Sequence, residues 1–282
     1  MRIEKNNYTL NFHAGLTKQI QKEIATCNTK KISAEFSKFN IPTDFRNNKT
    51  VAWCSLKCFE IIQNLNKQFN LNLALPTGIF VEDFKKLNIL SQDASGSCSI
   101  FPTKLYKDSE IIIPEKTIFF NENPDDPNYK GSLYWENIDL CSDISKNSHL
   151  APTDFFLNTF LHEFSHVIHI GHLIKSMGRE NFLKVFNKIN NPAAISQFKN
   201  KYWLLMFENL CTYASSHPME AVACDFSKRI AEHLNKDTFL IKDDFIKNSP
   251  YRKYSVIDTI LSPLKYSEYN HTIRQFWNGN FK

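Results

Sequence analysis

Hydrophobic and polar residues follow three successive patterns along the chain. Apolar residues recur at helical spacing over residues 51–69, which predicts an amphipathic helix. Short β-like runs come next, at residues 78–84, 99–101, 110–120 and 132–140. From about residue 152 the pattern is helical almost to the end of the chain. A helix, then several strands, then further helices predicts an α+β fold with the strands gathered toward one lobe.

One of the later predicted helices carries an unusual pair of histidines. Thr153 is a suitable N-cap for a helix over residues 154–170, and Gly171 is the expected C-terminal stop. His162 and His166 lie four residues apart and therefore share one face of this helix. The opposite face is an apolar stripe made of Leu157, Phe160, Leu161, Phe164 and Ile168.

The spacing of His162-Glu163-Phe164-Ser165-His166 suits a zinc site. Two imidazoles one helical turn apart can both coordinate the same Zn²⁺, and a Glu next to the first His can take the proton of a metal-bound water. The composition of the chain gives on the order of 0.015 chance matches to His-Glu-x-x-His. We therefore expect one Zn²⁺ per chain, with His162 and His166 as ligands and Glu163 as the catalytic base.

A catalytic zinc site needs a third protein ligand, and Glu220 is the first choice. Ser216 can cap a second helix and Pro218 can begin it, so Glu220 falls in the first turn. The helix face that carries Glu220 continues with small residues, which would let the two helices approach closely: Ala223, Cys224 and Ser227.

Three other residues compete for the third position. His172 lies six residues after His166, as the third histidine does in the metzincin pattern, but the glycine of that pattern is replaced by His169. Glu208 and Asp225 are the remaining alternatives.

His162-Glu163-x-x-His166 followed by Glu220-x-x-Ala223 resembles the zincin metallopeptidases, in their Glu-ligand, gluzincin-like branch. The resemblance covers roughly residues 50–235, and the Asn-Glu-x-x-Ser-Asp form of the thermolysin relatives is absent. It implies a zinc endopeptidase that hydrolyses a peptide bond. The substrate peptide would extend the sheet at an edge strand over residues 132–140, where Trp135 would line the groove.

Such enzymes use a donor that stabilises the oxyanion, and Tyr254 is the choice here. The alternatives for this role are Tyr251, Arg252, His217 and His271. His169 is expected to lie behind the ligands or to line the cleft, with exposure on the surface as the alternative.

Residues 1–48 are polar and rich in Asn and Lys. They are expected to be an N-terminal extension of short helices that is part of, or packed on, the metallopeptidase domain of residues 49–282. The unmatched extension gives slight support to a bacterial effector or toxin peptidase over a cytoplasmic peptidase that cleaves regulators.

Charge and hydropathy limit the partners. The net charge of +5 comes from scattered basic residues, so a protein or peptide substrate is expected and nucleic acid is not. No apolar run reaches 18 residues, and the N-terminus lacks the apolar segment of a Sec-type signal. The expected location is cytoplasmic, with export by a specialised secretion system compatible with the same sequence.

Seven cysteines without a regular framework are typical of reduced thiols. Cys54 and Cys58, one turn apart, are expected to pack in the core.

Two other functions fit the same motif. A zincin-like binding or regulatory module would hold a structural metal in a closed four-ligand site, with His172 as the extra ligand. A zinc hydrolase of a non-peptide bond would use the same residues on another substrate.

Overall fold

A computed structural model describes residues 18–87, 94–106, 108–122, 156–235 and 238–242, with the backbone alone for residues 201–209. The helices in these ranges are α1 (residues 18–26), α2 (Thr29–Ser37), α3 (Lys49–Phe69), α4 (Asn158–Met177), α5 (Arg179–Ile189), α6 (Pro192–Asn209) and α7 (Pro218–His233). The strands are β1 (Thr43–Asp44), β2 (Gly78–Glu82), β3 (Gly96–Cys98), β4 (Thr103–Lys104), β5 (Ile112–Ile113) and β6 (Thr117–Asn121). The α+β class is as predicted.

The main sheet is mixed and has the strand order β1-β2-β6-β3. β1, β2 and β6 run parallel to one another, and β3 runs antiparallel to β6, with Ser97 opposite Phe119. β4 and β5 form a separate two-stranded antiparallel sheet. Within the described residues β3 is therefore an edge of the main sheet.

The predicted strands match the structure in part. The run at 78–84 is β2 in its first five residues, and the run at 110–120 is divided into β5 and β6. Pro114 and Lys116 separate those two strands, and Lys116 has a left-handed φ of 68° that an unbroken strand does not adopt. The strand predicted at 99–101 is wrong in its bounds: the strand here is β3, at residues 96–98, and Ser99 adds backbone hydrogen bonds to Thr117 and Lys116 after it. The run at 132–140, with Trp135, lies outside the described residues.

α3 contributes many of the buried residues of the main core. Asn48 accepts a hydrogen bond from the Val51 backbone N–H at the start of the helix, and Asn70 ends it in the left-handed conformation. Cys54 and Cys58 are fully buried along it, as expected for core residues. The six described cysteines are free thiols.

Residues from the N-terminal helices join the same core. Ile20 of α1 and Ile32 and Phe36 of α2 belong to the hydrophobic cluster that includes α3, β2, β6 and α4. The short helices predicted for this region are present over its described part. The domain boundary at residue 48 stays a prediction.

None of the helices in the described ranges combines the length and the apolar content that crossing a bilayer requires.

α4 is longer at its C-terminal end than the sequence predicts. Residues 156 and 157 form a turn, the helix begins at Asn158, and Thr153 lies outside the described residues. The helix continues through Gly171, which was the predicted stop, and ends at Gly178, whose φ is 79°. Gly171 has a packing role instead: a Cβ at this position would lie 2.2 Å from Ala74 Cβ.

The two faces of α4 differ in chemistry but not in burial. The apolar stripe is buried, and so are His162, Glu163 and His166 on the other side. The face that carries His162 and His166 packs on α7, where Ala223, Cys224 and Ser227 are buried. Small residues on α7 thus allow the close approach that the sequence predicted.

α7 begins as predicted with Pro218, but its cap is different. The side chain of His217 accepts a hydrogen bond from the Met219 N–H at 3.1 Å, so His217 rather than Ser216 is the N-cap. Ser216 follows a short 3₁₀ helix, Tyr213–Ser215, that leads into α7.

Candidate metal centre

α4 and α7 bring three ligand groups together. The Nε2 atoms of His162 and His166 are 3.1 Å apart. Glu220 Oε2 lies 2.8 Å from His162 Nε2 and 3.3 Å from His166 Nε2. These three residues form a group that could hold a metal ion.

The spacing and the chemistry of the three groups both suit a single ion. Two ligands on a tetrahedral zinc, with bonds of about 2.0–2.1 Å, are about 3.3 Å apart. The three ligand atoms are 2.8 to 3.3 Å apart, which is equal to that value or slightly shorter. Two imidazole nitrogens and one carboxylate oxygen are also a ligand set of catalytic zinc sites, and related sites take other first-row transition metals.

Glu163 lies beside this group without belonging to it. Its side chain is buried, and its Oε2 has no hydrogen-bond partner among the described residues. A buried carboxylate oxygen without a partner is costly, so the position calls for a polar group such as water or a substrate atom. Burial and the charge of Glu220 raise the pKa of Glu163, while His162 and His166 oppose the rise. A carboxyl of raised pKa is suited to accept and return a proton.

The edge strand of the sheet touches Glu163. A Cβ built on Gly96 of β3 would lie 2.9 Å from both Cγ and Oε1 of Glu163. Gly96 therefore leaves the space that the glutamate occupies. The sheet edge, the glutamate and the three ligand groups form one continuous site.

The charges in the group are coupled. Burial lowers the pKa of His166, but the carboxylates of Glu220 and Glu163 outweigh this and raise it overall. Burial raises the pKa of Glu220, but the two imidazoles outweigh this and hold it well below its ordinary value. The Glu220 carboxylate is thus ionised, and a proton held on His166 is one that a cation would have to displace.

Two of the competing third-ligand candidates, His172 and Asp225, are described and do not belong to the group. α4 is continuous through His172, so a rise of about 9 Å along the helix axis separates this residue from His166. Asp225 is buried and lies 3.7 Å from the Arg229 guanidinium. Glu208 is in α6, where the backbone alone is described.

Two cysteines lie behind His162, on the side away from Glu220. Cys224 Sγ is 3.7 Å from His162 Nδ1. Cys211 Sγ is 3.5 Å from Cys224 Sγ, and both side chains are buried. In the sequence Cys224 stands out only as a small residue, and no pattern connects Cys211 with the site.

Tyr213 is a further residue at the site that the sequence analysis missed. Its ring centroid is 5.7 Å from that of His162, and the side chain is about half exposed. The charge of Glu220, then burial, then the charge of Glu163 raise the pKa of Tyr213, so its hydroxyl keeps its proton. A protonated phenol is a hydrogen-bond donor.

His217 has a defined tautomer. Its Nδ1 accepts the Met219 N–H, so in the neutral ring the proton is on Nε2. Burial lowers the pKa of His217 to about 4, which keeps the ring neutral near pH 7. The buried Nε2 has no hydrogen-bond partner among the described residues.

The other predicted residues divide into two groups. His169 is buried, so the alternative of surface exposure is wrong; burial, with neighbouring histidines, holds its pKa well below the ordinary value. The remaining oxyanion candidates lie outside the described residues: Tyr251, Arg252, Tyr254 and His271.

Comparison with known protein families, curated proteins and solved structures finds no match for this chain. The functional argument therefore rests on the site itself.

Proposed function

We propose that this protein is a zinc-dependent endopeptidase of the zincin type. The observation that carries the proposal is the convergence of His162, His166 and Glu220 beside a buried glutamate whose Oε2 has no partner among the described residues. Those residues supply the three ligands and the base that metal-assisted peptide hydrolysis requires. An exported effector acting on a host protein is one biological setting for this chemistry.

Each residue at the centre has a distinct task in this proposal. His162, His166 and Glu220 would hold the ion, which would polarise a carbonyl and acidify water when bound. Glu163 accepts a proton from the attacking water at Oε2 and returns it to the leaving amine. Burial favours this exchange, because it raises the pKa of Glu163 and so brings it closer to the pKa values of the water and the amine between which the proton passes.

Tyr213 is the described residue best suited to stabilise the oxyanion. It combines partial exposure, a protonated hydroxyl and contact with the ring of His162. A donor at this position would bind the carbonyl oxygen of the substrate as negative charge develops on it. Tyr254, the residue selected from the sequence, stays a prediction.

The substrate is proposed to bind as an extended peptide along β3. β3 is an edge strand in the described part of the sheet, and an extended chain can pair with such an edge through its backbone. Gly96 on this strand contacts Glu163, so a peptide paired there would lie next to the base and the ligands. This observation favours a peptide bond over other hydrolysable bonds.

A structural metal is the principal rival. It requires a closed site with four protein ligands, whereas a catalytic site keeps one position open. Within the described residues three ligand groups converge, and His172 is not one of them. The three ligand groups that converge within the described residues and the Glu163 oxygen without a described partner both support catalysis.

The decisive experiment compares the parent chain with Glu163→Gln. The full chain is loaded with Zn²⁺, metal content is measured, and cleavage of a peptide mixture is followed by mass spectrometry. The variant is expected to keep about one zinc per chain while peptide cleavage falls by about 10²- to 10⁴-fold. Glu180→Gln, an exposed glutamate in the first turn of α5, is the matched control and should cleave like the parent.

Two results would contradict the proposal. One is a Glu163→Gln chain that cleaves as fast as the parent. The other is a parent chain that binds zinc stoichiometrically and cleaves no peptide in the mixture, which would favour the structural-metal module.

A further inference from the structure

We propose that Cys211 and Cys224 are a redox modification site: a peroxide converts them to a reversible disulfide that weakens metal binding at the centre. Formation of the disulfide requires the two thiols and the peroxide, but no metal. Its effect on metal rests on the proposed function, through the contact between Cys224 and His162.

The two sulfurs are already in contact. Cys211 Sγ and Cys224 Sγ are 3.5 Å apart, and a disulfide bond brings such atoms to about 2.05 Å. An approach of about 1.5 Å is therefore needed. The backbone of Cys224 is fixed within α7, whereas Cys211 lies in the short connection between α6 and the 3₁₀ helix. Rotation of both side chains, with a small shift of the Cys211 backbone, can close the gap, and it moves Cys224 Sγ away from His162.

The same sulfur of Cys224 supports a metal-binding histidine. Its Sγ is 3.7 Å from His162 Nδ1. When His162 Nε2 serves as a ligand, the ring proton is on Nδ1 and points toward this sulfur. When a group that hydrogen-bonds to the second ring nitrogen of a ligating histidine is removed, metal affinity typically falls by about 10- to 100-fold. Drawing Cys224 Sγ toward Cys211 would remove that support from His162.

The reaction needs a peroxide as oxidant. One thiolate attacks a peroxide oxygen and the O–O bond breaks, which gives a sulfenic acid and a hydroxide ion. The second thiol then attacks the sulfenic sulfur, forms the S–S bond and releases water, its proton leaving with the departing hydroxyl. The two cysteines lose two electrons, and the peroxide gains them. A dithiol reductant reverses the change by thiol–disulfide exchange.

The test maps the disulfide and measures the metal separately. The full chain is reduced, freed of metal and treated with hydrogen peroxide, then alkylated and digested for peptide mass mapping. We expect a cross-linked pair of peptides that contain Cys211 and Cys224, lost again on treatment with dithiothreitol. In parallel, Zn²⁺ affinity is expected to fall by about 10- to 100-fold on oxidation and to recover on reduction.

Cys211→Ser is the informative variant, because Cys211 does not contact His162 through any described hydrogen bond. It should form no such cross-link, and peroxide should leave its Zn²⁺ affinity unchanged; Cys211→Ala repeats the comparison if the serine variant fails to fold. Cys54→Ser, in the core along α3, should respond to peroxide like the parent.

Three results would overturn the proposal: no Cys211–Cys224 cross-link in the parent, a cross-link that leaves Zn²⁺ affinity unchanged, or an equal loss of affinity in Cys211→Ser. If the reduced parent binds no Zn²⁺ at all, the proposed function fails and the control of metal fails with it. Peptide mapping would still decide whether the disulfide forms.

Discussion

The side chain of Glu163 lies where a side chain on residue 96 would have to go, because a Cβ on Gly96 would be 2.9 Å from Cγ and Oε1 of the glutamate. A methyl group there must displace the Glu163 carboxylate or shift β3. We expect Gly96→Ala to reduce peptide cleavage strongly while about one zinc per chain is retained, because the three ligand groups lie on other elements. Steady-state kinetics with metal analysis provides the measurement.

Ser97→Ala, on the next residue of β3, is the control for general disturbance of the strand and should stay near the parent rate. A Gly96→Ala enzyme with parent activity would show that Glu163 does not depend on this space.

The hydroxyl of Tyr213 is the second target. Tyr213→Phe keeps the ring that packs near His162 and removes the donor. Loss of one oxyanion donor typically lowers kcat by about 10²- to 10³-fold, so a fall of this order is expected with little change in KM or zinc affinity. Tyr106→Phe, a half-buried tyrosine packed against the Phe84 and Leu87 cluster, is the control. An unchanged kcat in Tyr213→Phe would assign the role to another residue, with Tyr254 next to be tested.

Metal binding should depend on pH. The Glu220 and Glu163 carboxylates overcome the effect of burial and raise the pKa of His166 above its ordinary value of 6.5. His166 therefore holds its proton to a higher pH than a free imidazole, and an incoming ion must displace it. Zn²⁺ affinity should be full above the raised pKa and fall as pH falls through it.

Competition with a chelator between about pH 6 and about pH 8 measures this dependence, with the known pH dependence of the chelator taken into account. His233→Gln, at the far end of α7, should keep the parent profile. An affinity that is constant across this range would exclude proton displacement at the centre.

Gly171 is expected to be a site of stability rather than catalysis. An alanine here would bring its Cβ within 2.2 Å of Ala74 Cβ, and overpacking of this kind costs about 1–3 kcal/mol. The higher helix propensity of alanine offsets up to about 1 kcal/mol of that cost. We expect Gly171→Ala to lower the free energy of unfolding in urea, and Ala74→Gly combined with it to recover part of the loss.

A double-mutant cycle tests this contact, since Ala74→Gly alone reports the separate cost of the smaller residue. If the effects of the two substitutions on the free energy of unfolding are additive, Gly171 and Ala74 are not in the contact described.

Local spacing allowed the proximity of His162 and His166 to be predicted, because the two histidines need only one regular helix to share a face. The approach of Glu220 to the two histidines was predicted for a similar reason: Pro218 marks a helix start, and small residues at helical spacing indicate close packing. The end of α4 was predicted wrongly because a glycine that permits a close helix contact and a glycine that ends a helix look alike in the sequence. Ala74, the neighbour that distinguishes them, is 97 residues away.

Residues that reach the site from loops and edge strands were harder to predict. Cys211 lies in an irregular connection and Tyr213 begins a 3₁₀ helix of three residues, and both segments are too short for a periodic pattern to assign a direction to a side chain. Gly96 carried a usable signal, since a glycine inside a strand often marks a close approach of other groups. Which group approaches it is decided by the pairing of β3 with β6, a long-range contact that hydrophobic patterns do not specify.

Glu220 and His162 are 58 positions apart in the chain, and an ion held by both would connect α4 to α7 as a removable cross-link. Such a link closes a long loop in the folded state and is absent once the ion leaves. Ion binding should therefore raise the melting temperature in proportion to the logarithm of free zinc once the site is saturated. Amide hydrogen exchange should slow in α7 and in the connection before it, while the exchange rates of β1 and β2 change little.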